Sequence, residues 1–124
     1  MIIVAILGFL TVAIGAFAAH GLKSVLSSQA LSWVDTGVQY QMFHTLALMV
    51  IAFVLIQWPQ WRQLVWSSGC FIVGIILFSG SLYAMALTGN KAFAWLTPLG
   101  GMAFLLGWGT LLWAALSRQN PLSK

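Results

Sequence analysis

The side chains able to do chemistry gather in one stretch, Ser32-Trp33-Val34-Asp35-Thr36-Gly37-Val38-Gln39-Tyr40-Gln41-Met42-Phe43-His44. It holds the only acid of the chain, two glutamines, one of two tyrosines and one of two histidines. At about 100° per residue, Trp33, Gly37, Tyr40, Gln41 and His44 share one helix face, with Asp35 and Gln39 on the other side. Further polar candidates are His20 and the run Ser79-Gly80-Ser81-Leu82-Tyr83. Acid–base or nucleophilic catalysis would need a carboxylate pair, or a nucleophile with its base, and neither is present. Two histidines, one cysteine and one aspartate are too few for a zinc site, and the histidines are not at i,i+4 spacing. Bis-histidine haem would need His20 and His44 at one depth, and their positions in two helices differ by several residues of rise. The sequence therefore calls for no cofactor and no metal.

The elements that carry these residues are membrane helices. The chain has 124 residues, of which 61% are hydrophobic and only 5% charged. Soluble domains average about 25% charged residues, so this is an integral membrane protein with little mass outside the bilayer. The net charge of +4 comes from cations scattered among the polar segments, which excludes a nucleic-acid surface. Cys70 lies in an apolar run and, being the only cysteine, forms no intrachain disulfide.

The expected architecture is all-α: four antiparallel transmembrane helices in one up-down bundle, with spans at about 2–20, 33–57, 65–87 and 98–116. No Lys or Arg precedes the first apolar run, so it reads as a helix rather than a signal peptide. Between the first two spans, Leu22, Val25, Leu26, Ala30 and Trp33 recur at helical spacing, the pattern of a short amphipathic segment in the headgroup region. Ser32 and Asp35 have the spacing of a capping box, placing the second helix start near Trp33. Thr97-Pro98 reads as N-cap and first residue of the fourth helix. The segments before helix one, between helices two and three, and after helix four hold Arg62, Arg118 and Lys124, against Lys23 and Lys91 in the other two loops. That bias puts both termini in the cytoplasm.

His44 falls about 12–16 Å along helix two, near the bilayer midplane. A neutral ring is expected there, donating through one nitrogen and accepting through the other. Gln41 and Tyr40 on its own helix, and Ser79, Ser81 or Tyr83 on helix three, are the candidate partners. Two uses fit these residues. They could be hydrogen-bonding glue between helices, with Gly15, Gly80, Gly100, Gly101 and Gly107 allowing close backbone approach. Alternatively they line a pocket in the outer half of the bundle for a small ligand, lipid or ion. The bilayer is one partner in either case. The ridges of glycine and alanine also suit a second copy or another membrane protein.

Four motifs resemble a known family: Gly15-Ala16-Phe17-Ala18-Ala19-His20, Tyr40-Gln41-Met42-Phe43-His44, Leu77-Phe78-Ser79-Gly80-Ser81-Leu82-Tyr83 and Thr97-Pro98-Leu99-Gly100-Gly101 with Gly107-Trp108. Together they are similar, in order and over roughly 8–112, to the YgdD-like small bacterial inner-membrane proteins of unknown function. Ala18 departs from the pattern, which has glycine there. The resemblance implies four membrane helices in the bacterial cytoplasmic membrane and implies no reaction.

Overall fold

The computed structural model describes residues 1–118. Four helices in it are long and apolar enough to cross a membrane. Among the described residues there is no strand. We label them α1 (Ile2–His20), α2 (Ser28–Gln57), α3 (Arg62–Thr88) and α4 (Leu96–Arg118). Residues 119–124, which carry Lys124 and most of the expected polar tail, lie outside the described residues.

α1 is apolar on every face, and its one buried residue, Thr11, returns its hydroxyl to the Leu7 carbonyl at 2.7 Å. The chain then turns, with Leu26 N–H on Leu22 O at 2.9 Å. Here the structure corrects the expected amphipathic segment and the Ser32–Asp35 cap. Ser27 accepts the Ala30 N–H at 3.1 Å and starts α2 at Ser28, so Ala30 and Trp33 already belong to that helix. A hydroxyl just before the helix, in reach of the free N–H three residues on, is all a cap needs. Asp35 is left on the exposed side, accepting from Gln39 Nε2 at 3.0 Å.

α3 is continuous but not uniform. Ile75–Ser79 is a π turn, closed by Gly80 N–H on the Ile75 carbonyl. Such a turn inserts one extra residue into the helix and re-aims the side chains that follow. Gly89 ends α3 in the left-handed region, at φ 67°, with its N–H on Met85 O. Lys91–Trp95 is then a 3₁₀ turn capped by Asn90, which accepts from Ala92 N–H at 2.9 Å. It runs directly into α4 at Leu96, so Thr97 is inside the first turn and is not the N-cap.

The packing is uneven. At backbone distance α1 meets only α2, α2 meets α1 and α3, and α3 meets α2 and α4; α2 and α4 approach each other only through side chains. One apolar cluster joins Leu48, Ile51, Leu64, Phe71, Ile75, Phe104 and Ala114. A smaller one joins Ala30, Val34 and Ala86. Along α2 the polar residues from Gly37 to His44 lie between these two clusters.

Candidate functional site

The site is built from two turns of α2, the π turn of α3 with the turn after it, and the first half of α4. Each contact begins with a small residue that lets a neighbour come close. A Cβ on Gly37 would stand 2.6 Å from the Tyr83 ring, and one on Gly100 would fall inside the backbone of Phe78. Substituents on Gly74 and Gly107 would collide with Phe104 and Phe71. Gly100 and Gly107 thus sit where other helix atoms leave no room for a side chain. Gly15 meets Val38 at an ordinary 3.4 Å and Gly101 meets Phe78 at 4.0 Å. Gly80 is a correction: it follows the π turn, and no atom lies within 4 Å of its Cβ position. Gly37, which the sequence places on the polar face of α2, and Gly74 are close contacts beyond the glycines expected to make them.

Close approach brings backbone carbonyls within reach of short hydroxyls. Ser79, fully buried at the end of the π turn, donates to the Gly37 carbonyl at 2.7 Å. Ser67 donates to the Gly107 carbonyl at 2.8 Å. Ser81 donates to Phe78 O at 2.8 Å, so its single hydrogen is committed and Thr97 must donate to it, at 2.6 Å. Tyr83 donates to Gln41 Oε1 at 2.9 Å, while Gln41 Nε2 donates to the Leu7 carbonyl at 3.1 Å. Gln41 therefore ties α1 to α2 and α2 to α3. Among the described residues it makes the only side-chain hydrogen bond linking α1 to another helix.

His44 is buried between α2, α3 and α4, at 3% exposure. Its ring stacks on Phe104 with centroids 3.6 Å apart and planes at 8°, and the Phe71 ring meets it edge-on at 5.2 Å. Trp108 Nε1–H points to His44 Nε2 at 3.2 Å. An indole nitrogen only donates, so Nε2 is the acceptor, and Nδ1 carries the proton that goes to the Tyr40 carbonyl at 2.8 Å. The tautomer is fixed from both sides. Of the expected partners, Tyr40 engages the histidine through its backbone carbonyl; the second partner is Trp108 of α4 and none of the α3 hydroxyls. Trp108 reads in the sequence as one more interfacial tryptophan. The available signal was its depth, about 15 Å beyond Pro98 at 1.5 Å per residue, too far into the span for a headgroup belt.

The expected polar cluster is thus divided. Gln41, Ser79, Ser81 and Tyr83 face the seams between helices. Tyr40 and His44 instead line a groove of about 750 Å³ between α2 and α4, with Gln39 on one side and Pro98, Gly101 and Phe104 on the other. His20 is exposed at the end of α1 and bonds to none of them. Two hydroxyls in the region stand out. Thr45 Oγ1 is buried with no hydrogen-bond partner among the described residues. The Tyr40 hydroxyl, on a residue 43% exposed, forms no hydrogen bond among the described residues while its ring packs on Phe78 at 4.3 Å. Among the described residues no three of His, Cys, Asp and Glu come together as ligands for an ion.

Comparison with known proteins places this arrangement in context. The family model described as "Protein of unknown function (DUF423)" matches residues 14–101. A UPF0382 membrane protein of Haemophilus influenzae is 46% identical over 118 residues, covering 95% of this chain and 94% of the relative. The UPF0382 inner membrane protein YgdD of Escherichia coli is 43% identical over 116 residues, covering 94% of this chain and 88% of its own length. The UPF0382 membrane protein YwdK of Bacillus subtilis is 39% identical, with 94% of each chain covered. No solved structure matches.

Proposed function

The chain belongs to the DUF423 (UPF0382) family of membrane proteins of unknown function, and within it we propose a non-enzymatic bundle that acts through contacts made in the plane of the membrane. The observation that carries this reading is the state of the polar groups. Gln41, His44, Ser67, Ser79, Ser81 and Tyr83 all have their hydrogen bonds inside the protein. No carboxylate lies among them to move a proton. These side chains hold helices together, which leaves the outer surfaces to meet partners.

The bundle is up-down and antiparallel in this proposal. Contact pairs support it: Ser67 with Gly107, Phe78 with Gly100 and Ser81 with Thr97 rise along one helix while falling along the other. Both termini are cytoplasmic and the membrane is the bacterial inner membrane. The cation bias supports the orientation, and the name of the Escherichia coli relative supports the membrane. Labelling single cysteines at Asn90 and Ser117 in a Cys70→Ser background tests this. Label reaching Asn90 but not Ser117 from outside the cell is expected, and the converse would invert the topology.

A second reading, favoured by the unbonded Tyr40 hydroxyl in the α2–α4 groove, is a binder of a small amphipathic molecule drawn from the bilayer. Native mass spectrometry from detergent separates the two. Dimers or a bound protein are expected for an interaction protein, and a monomer with a co-purified small molecule for a binder. A bare monomer would count against both.

A further inference from the structure

The groove between α2 and α4 has a length, a lining and a polar group that together restrict its occupant. Its α4 wall runs from Pro98 to Trp108, about 15 Å at 1.5 Å per residue. That is about half of a ~30 Å hydrocarbon core, the depth of one leaflet. A partner helix would need a face along the full span. A molecule confined to one leaflet fits the groove.

The lining then separates a flat ring from a saturated chain. Tyr40, Phe43, His44, Phe78, Phe104 and Trp108 all line this space, with Tyr40, Phe43 and Trp108 the exposed rings and His44 and Phe104 nearly covered by each other. An acyl chain gains no more from these faces than from leucine or isoleucine. A conjugated planar ring does, because stacked or edge-on aromatic pairs add about 0.5–1.5 kcal/mol beyond the area they bury. His44 has both nitrogens bonded already, so it offers its ring and no polar atom. Gln39 Nε2 is held by Asp35. Its second N–H and the unbonded Tyr40 hydroxyl are the donors left on this wall, and a donor there suits a carbonyl on the ring.

We propose that this groove binds the head of a lipid-soluble quinone: a planar ring seated among Phe78, Phe104 and Trp108, one carbonyl accepting from the Tyr40 hydroxyl, the apolar tail running out into the leaflet. This deepens the binder reading above and rests on it. A volume of about 750 Å³ is in the range of small-molecule sites, roughly 300–1,000 Å³, and such sites are apolar with few polar groups.

The test is a titration of the protein in phosphatidylglycerol nanodiscs with a benzoquinone carrying a decyl tail, read by quenching of tryptophan fluorescence. Wild type is expected to saturate. Tyr40→Phe keeps the ring packing and removes one hydrogen bond of about 1 kcal/mol, weakening binding by about fivefold. Gly101→Leu, at a position whose Cβ meets nothing closer than Phe78 at 4.0 Å, fills the groove and abolishes saturation. Unchanged thermal unfolding shows that both variants are folded. Quenching that fails to saturate, or that is the same in all three proteins, overturns the proposal. Mass spectrometry of the same samples separates its failure from that of the binder reading. Phospholipid retained by wild type and lost from Gly101→Leu, without quinone binding, leaves a groove binder and removes the ring. No retained molecule and no quenching removes both.

Discussion

α1 and α3 make an instructive pair. α1 is the more apolar of the two, yet only 6% of its most apolar stretch is buried inside the protein, against 44% for α3. In water that order would be reversed, since burial follows apolarity. In a bilayer the lipid is as apolar as leucine, so hydrophobicity places a helix in the membrane without choosing its neighbours. α3 is drawn inward by small residues: Gly74 admits the Phe104 ring, Ser67 and Ser79 bond the Gly107 and Gly37 carbonyls of the neighbouring helices, and Ser81 pairs with the Thr97 hydroxyl. α1 has one buried hydroxyl, and it serves its own helix.

The largest effect expected from this contrast is at glycines on the two sides of it. Gly100→Leu forces α4 away from the Phe78 backbone and should cost about 3 kcal/mol, the upper end of ordinary overpacking. Gly8→Leu on α1, where nothing lies within 4 Å, should leave stability unchanged. Thermal unfolding of both in one detergent is the measurement. Equal losses would mean that α1 is covered as thoroughly as α4, and the contrast would fail.

Next in size is His44. His44→Leu strands the Trp108 indole N–H in an apolar setting, at a cost of about 1–3 kcal/mol. His44→Gln can still accept from Trp108 and donate to Tyr40 O, and loses chiefly the stacking on Phe104, about 1 kcal/mol. If Trp108→Phe abolishes the difference between the two variants, the bond to α4 is what separates them. If the difference persists in that background, the bond to Trp108 is not what separates them.

Gln41→Leu comes third and bears directly on α1. It removes the bond to Leu7 and leaves the Tyr83 hydroxyl unpaired, for about 1–2 kcal/mol in all. The more telling readout is local. Oxidative crosslinking of Gly15→Cys with Val38→Cys, in a Cys70→Ser background, should slow in this variant. The Ser81→Cys and Thr97→Cys pair between α3 and α4 should not. Equal slowing would show that α1 is no looser than the rest.

The sequence makes the four spans plain because long apolar runs have no other reading, and His44, Gln41, Ser79 and Tyr83 stand out as polar groups inside them. Which of these meet was not legible. Ser79 reaches Gly37 from the end of a π turn, and no residue type in Ile75–Ser79 announces that extra residue. The α2 start was misplaced because Ser27, Ser28 and Ser32 are chemically equal as caps, and only the backbone decides which one is used. Trp108 was missed as a partner because tryptophan in a membrane protein is usually an interfacial anchor. Depth along its helix, not residue type, was the information that mattered.

The smallest expected effect falls on Gly80. In an isolated chain its Cβ position is open, and its φ of −59° and ψ of −42° are ordinary helical values. Gly80→Ala should therefore be neutral or stabilise by up to about 1 kcal/mol, as the more flexible glycine is replaced inside a helix. Its neighbour in sequence gives the contrast: Ser79→Ala deletes the bond to Gly37 O and should cost about 0.6–1.7 kcal/mol. Unfolding measured at several protein-to-detergent ratios makes the comparison sharper still. A clear loss in Gly80→Ala that fades on dilution would mean that a second copy or another helix lies against this turn in the membrane. The open side of α3 would then be an interface, and the contrast with α1, the least buried of the four helices, would widen.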